Sequence, residues 1–149
     1  MRTNSDFEEI LLAFNDAGVK YLVVGAFAVA AYTRPRATGD IDLWIDRSAD
    51  NARRVYRALA AFGAPLDRVS ESTFLEPEII FQIGVPPVRI DILTDIDGLT
   101  FDEAWQNRMS SSIGAAEVSL LGREDLIRNK QATGRPKDLA DIDRLARDG

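Results

Sequence analysis

The chain has 149 residues, 46% of them hydrophobic and 28% charged, and a formal net charge of -6, which suits one domain with its own core. It contains neither cysteine nor histidine. That excludes disulfides, thiolate and imidazole metal sites, and any catalysis built on a histidine base or a cysteine nucleophile. The acidic balance argues against a broad nonspecific grip on nucleic acid and leaves carboxylates with a hard cation as the available chemistry.

Ser5 followed by Glu8 forms a capping-box pattern, and Phe7, Ile10, Leu11 and Phe14 then recur at helical spacing until Gly18. Val19 to Val24 reads as a buried strand ending at Gly25. Gly25-Ala26 opens a short helix of small residues through about Thr33, stopped by the Arg34-Pro35 step. After Gly39 comes a strictly alternating strand, DIDLWID, and Ser48 then caps a helix bearing Val55, Leu59 and Phe62 before Gly63. Phe74-Leu75 and Ile79 to Ile83 are predicted as short strands, with Gly84 and Pro86-Pro87 as a turn.

Val88 to Thr94 is again strand-like, Phe101 to Arg108 a short helix, and Glu117 to Leu121 a last short strand. Helices over Arg123 to Thr133 and Pro136 to Arg147, parted by Gly134, close the chain. The expectation is one α/β or α+β domain over residues 1–149, with a central mixed sheet flanked by helices. The opening MRTNSDFEEI offers no apolar stretch for a signal peptide and no run approaches a membrane span. The expected location is the cytoplasm, without membrane contact.

The chemistry is concentrated in the second strand. Its period of two puts Asp40, Asp42, Trp44 and Asp46 on one face and Ile41, Leu43 and Ile45 on the other. Asp40 and Asp42 lie about 6.5 Å apart along the strand, a spacing from which carboxylates can converge on one or two divalent ions. Without a cation such carboxylates raise each other's pKa. Asp91, between Ile90 and Ile92, shares a face with Arg89 and could meet the first pair if the two strands are neighbours. The plainer alternative is a set of strand-end carboxylates, solvated or paired with arginines such as Arg36 and Arg89. A calcium loop fits poorly, because apolar Ile41, Leu43 and Trp44 sit where it wants ligands. The DIDG at Asp95–Gly98 lacks the distal glutamate and reads as a turn.

Arg34 and Arg36, with Thr38, lie in the loop entering the acidic strand, where they could meet phosphates or simply neutralise Asp40 and Asp42. Lys130, Arg135 and Lys137 cluster around Gly134, with a Lys137–Asp141 i,i+4 pair as the bland account. Asp138 and Asp141 share a helix face and could orient Lys130. Trp44 and Tyr32 are read as packing.

In their order, the strand, Gly25-Ala26 opening a helix, TGDIDLWI, RIDILT and the tail LIRNKQATGRPKDLADIDRL resemble the nucleotidyltransferase superfamily with the DNA polymerase beta-like core. The resemblance is to its minimal bacterial members, including those found as toxins in toxin–antitoxin and abortive-infection systems, and spans nearly the whole chain. It implies a nucleotide triphosphate (NTP) held by the helix start at Gly25 and Ala26, with Arg36, Thr38 and Lys130 nearby. It implies Mg2+, in a two-metal site, on Asp40, Asp42 and Asp91, with Asp91 helping to deprotonate the attacking hydroxyl. The four residues Asp40, Asp42, Asp91 and Lys130 would be catalytic. Nucleotidyl transfer to an RNA acceptor (such as tRNA) or a protein would release pyrophosphate, and a toxin role would bring a cognate antitoxin.

This chain departs from the usual Gly-Ser or Gly-Gly at Gly25-Ala26. With the acidic surface, this motivates a second reading, a binding module of the same fold with weak or no turnover. A third, transfer to a small molecule of the aminoglycoside type, rests on an acidic protein of this size suiting a cationic acceptor.

Overall fold

The computed structural model describes residues 2–34, 39–85 and 88–148. Six strands form one mixed sheet in the order β3-β4-β2-β1-β6-β5. Helix α1 (Arg2–Asp16) buries Phe7, Ile10, Leu11 and Phe14 completely, the stripe its spacing predicts. It begins three residues before Ser5, so the Ser5–Glu8 capping box does not start it. The helix ends as expected at Gly18, whose φ of 73° lets its own amide and that of Val19 fold back onto the Asn15 and Phe14 carbonyls.

Strand β1 (Tyr21–Val24) is shorter than the Val19–Val24 expectation. The reason is local: the backbone of Lys20 is engaged by the Asn51 side chain, which both accepts from its N–H at 2.7 Å and donates to its carbonyl at 2.9 Å. Helix α2 (Gly25–Tyr32) follows without a loop, and then comes β2 (Asp40–Ile45). Helix α3 (Ala49–Phe62) is capped by Ser48, which accepts from the Asn51 N–H, and ends at left-handed Gly63.

Phe74-Leu75 is not a strand. Residues Glu71–Leu75 form a 3-10 turn closed by a reciprocal Ser70–Thr73 capping box, and Phe74 is its single buried anchor. Strands β3 (Ile80–Val85) and β4 (Val88–Leu93) pair antiparallel, with Gly84 inside β3 at φ 83°. The Pro86-Pro87 step lies outside the described residues.

Helix α4 (Phe101–Gln106) is shorter than expected. Strand β5 (Met109–Ile113), which the sequence did not suggest, pairs antiparallel with β6 (Ala116–Leu120). Helices α5 (Arg123–Thr133) and α6 (Pro136–Asp148) meet at left-handed Gly134.

Alternation along the central strands divides the core between the two faces of the sheet. Tyr21, Val23, Ile41, Leu43, Ile45, Ile90 and Ile92 pack with α1, α3 and Phe74. Leu22, Val24 and Trp44 pack with Ala28 and Val29 of α2, Ala104, Leu126 of α5 and Leu145 of α6. Among the described residues no helix is long and apolar enough to cross a membrane.

Candidate active site

The second face changes character along β2. At Trp44 it is closed: the ring is 1% exposed, stands edge-on to Phe101, and donates its indole N–H to the Thr94 carbonyl. Two and four residues earlier, Asp42 and Asp40 emerge at the wall of a cleft of about 1390 Å³. The neighbour relation that spacing alone left open is present. Strand β2 runs parallel to β4, with Asp42 level with Asp91 and Asp40 level with Arg89. The three aspartates therefore share one face, one strand spacing apart across the sheet.

These carboxylates are crowded. Burial first, then the charge of Asp91 and a hydrogen bond with it, then the charge of Asp40, push the Asp42 carboxyl up to about 7, and Arg89 offsets this only in part. Arg89 bridges the other two: its Nη2 lies 3.2 Å from Asp40 Oδ2 and its Nε 3.1 Å from Asp91 Oδ1. The expected pairing with an arginine is thus made by Arg89. Arg36, the other arginine considered, lies with Thr38 outside the described residues.

Asp42 is also backed by the start of α2. Gly25 sits at φ 71°, and a Cβ there would overlap Asp42 Oδ2. Glycine is required at this point both by conformation and by space. The cap residue of α2, Val24, offers no side-chain acceptor, so among the described residues the first N–H groups of the helix have no side-chain partner where Gly25 and Ala26 line the cleft.

The opposite wall comes from α5 and α6. Lys130, 6% exposed, lies 3.3 Å from both Asp138 Oδ1 and Asp141 Oδ2. Arg135 forks onto Asp138 at 2.8 Å and 3.2 Å, and Arg144 pairs with Asp141. Burial opposes the charge on Asp138, yet hydrogen bonds from Arg135 and then Lys130 outweigh it and hold the carboxyl down at about 2. The expected Lys137–Asp141 pair is not among these contacts, because Asp141 faces Lys130 and Arg144.

The structure adds residues that the sequence reading passed over. Asn129 and Thr133 line the cleft beside Lys130, one helical turn apart on α5. Asn129 also donates to the Asp97 carbonyl at 2.8 Å, tying the DIDG turn to α5. Asparagine and threonine at i,i+4, flanking a buried lysine, is the signal that could have flagged them.

Oxygen-only donors on adjacent strands suit a hard divalent cation. As the side chains stand, no three acidic groups among the described residues converge closely enough to hold one. The donor chemistry fits; closure would require the Arg89 bridge to open.

No curated protein matches the chain. Among solved structures it is similar to the lincosamide antibiotic adenylyltransferase LnuA, lincomycin-bound, at a TM-score of 0.64 and 17% identity over 97% of each chain. It is also similar to TM1012 of Thermotoga maritima, a candidate nucleotidyltransferase, at a TM-score of 0.61 and 15% identity over 94% of this chain and 89% of that one. At such identities the likeness shows a common fold. The sequence itself matches, over residues 3–148, the family described as "Nucleotidyl transferase of unknown function (DUF2204)", and the chain belongs to that family of nucleotidyltransferases.

Proposed function

We propose that this nucleotidyltransferase transfers a nucleotidyl group from an NTP to the hydroxyl of a small, cation-bearing molecule, releasing pyrophosphate. The observation that carries the transfer itself is the in-register pair Asp42–Asp91 with Asp40 beside it, set against the start of α2. Asp40, Asp42 and Asp91 would hold Mg2+, in a two-metal site, which when bound neutralises phosphate charge and favours in-line displacement. Gly25 and Ala26 bring α2 amides toward the triphosphate, and Lys130, held in place by Asp138 and Asp141, faces it from the other wall. Asp91, freed of its guanidinium partner, is the carboxylate placed to take the proton of the attacking hydroxyl.

The lining supports this acceptor class. Eight carboxylates line the cleft against six lysines and arginines, and Glu78 and Asp97 make no ion pair among the described residues, a balance that suits a cationic acceptor better than a polyanion. LnuA, bound to lincomycin, matches this chain over 97% of both lengths, so the fold alone is sufficient for a small acceptor without a further acceptor domain. The other reading, an RNA (such as tRNA) or protein acceptor with a toxin role and a cognate antitoxin, draws its support from the sequence resemblance.

Incubation with each labelled NTP, Mg2+ and either a panel of amino-sugar and lincosamide-type antibiotics or total RNA and protein separates these. Label on a small molecule supports the proposal, and label only on RNA or protein replaces it with the second reading. Label on nothing, with NTP binding intact, would leave a binding module whose Ala26 has replaced the usual second small polar position.

A further inference from the structure

We infer that Arg89 is a resident counter-ion which a divalent cation must displace from Asp40 and Asp91, so that metal enters this site against a built-in ion pair. The inference rests on the reading of the three aspartates as metal ligands. Arg89 stands level with Asp40 on the neighbouring strand and two residues before Asp91 on the same face. Its Nη2 reaches Asp40 Oδ2 at 3.2 Å, while Nε and Nη2 meet the two oxygens of Asp91 at 3.1 Å and 3.3 Å. Both Asp91 oxygens and one of Asp40 are therefore committed to a guanidinium fork, the geometry in which arginine holds carboxylates best. A metal would need those oxygens.

Of the five cations on the opposite wall, three are held by Asp138 and Asp141 of α6. Lys130 is engaged by Asp138 and Asp141, Arg135 by Asp138 and Arg144 by Asp141. Arg89 is 29% exposed at its side chain and lines the open cleft, so its head has room to leave while the stem stays on the strand. A released guanidinium requires another anion, and a triphosphate arriving with the metal offers oxygens of matching fork geometry. Metal and nucleotide then favour each other, and by linkage the coupling is reciprocal.

The test is Mn2+ binding without nucleotide, read by electron paramagnetic resonance at pH 8, for the full chain and for Arg89→Met, Arg89→Gln and Asp42→Asn. Each variant is checked for folding by circular dichroism. Removing the guanidinium is expected to tighten Mn2+ binding roughly tenfold, the order expected for deleting a partly exposed, multiply bonded like charge. Unchanged or weaker binding in both folded Arg89 variants overturns the inference. The two readings fail differently: Mn2+ binding that is absent, or indifferent to Asp42→Asn, overturns the metal site and the counter-ion together. Binding that needs Asp42 but ignores Arg89 overturns the counter-ion alone.

Discussion

Two charged centres line the same cleft and are built on opposite terms. At the strand centre three carboxylates, Asp40, Asp42 and Asp91, share one guanidinium among the described residues. At the helix centre two carboxylates, Asp138 and Asp141, are met by Lys130, Arg135 and Arg144. The same functional group consequently behaves in opposite ways. Asp42 is pushed up to about 7, and Asp138 is held down at about 2. Burial acts in one direction on both, so the neighbours decide the sign. The helix centre carries its own neutralisation and fixes two helices together; among the described residues the strand centre holds more negative than positive charge, as the proposed cation site requires.

The sharpest way to break this contrast is at Asp42. Asp42→Asn is expected to lower nucleotidyl transfer, measured by pyrophosphate release, by roughly a thousandfold or more. The same change should raise the melting temperature of the metal-free protein at pH 8 by a few degrees, since it deletes a crowded, partly buried charge. A lowered melting temperature would mean that Asp42 is structural. Asp138→Asn tests the other centre with the opposite sign: unfolding in urea should need about 3 kcal/mol less, because Lys130 and Arg135 lose a buried partner. A loss within experimental error would show that Asp141 suffices to hold Lys130.

A pH series on the metal-free protein sharpens the comparison further. Folded Asp42 binds its proton more tightly than an unfolded aspartate, so stability from this group falls as the pH rises from about 4 to about 7. Asp138 behaves in reverse. Its contribution is present above about pH 4 and is lost as the pH falls toward about 2. Asp42→Asn should flatten the decline between pH 4 and 7 and leave the acid limb alone; melting curves that decline equally in the variant would contradict the assignment. The smallest effect belongs to Lys137→Ala, which should shift stability by no more than about 0.5 kcal/mol. A larger loss would reveal a partner for Lys137 at the helix centre.

Much of this architecture was legible because it rests on local rules. The alternation of DIDLWID put the acids and the isoleucines on opposite faces, and the Phe7–Phe14 stripe, Ser48 and Gly63 marked their helices. The reading failed where the physics was not local or not apolar. Strand β5, MSSSI, is mostly exposed, so it carries no hydrophobic signal and exists through its ladder with β6. Phe74 looked like strand because one large apolar residue cannot distinguish a buried strand from a buried turn. At the site, Asp40 and Asp42 were paired by strand period alone, whereas the place of Asp91 depended on which strands are neighbours. The Arg89 bridge was legible only as a category, an arginine near acids, and its identity required the register of β2 on β4.

That register also has a consequence for how the molecule is assembled. The β3–β4 and β5–β6 pairs can close as local hairpins, but β2 joins β4 in parallel only after the chain between them, with α3, the 3-10 turn and β3, has folded back. Closing so long a loop is entropically slow and falls late in folding. Asp91 therefore meets Asp40 and Asp42 only once this parallel pairing forms, and their repulsion acts mainly on the exit from the native state. Asp42→Asn should accordingly slow unfolding and leave the refolding rate nearly unchanged, as stopped-flow denaturant jumps would show. A faster refolding limb would place the acidic pairing early. The acidic site thus governs the lifetime of the fold more than the speed with which it is reached.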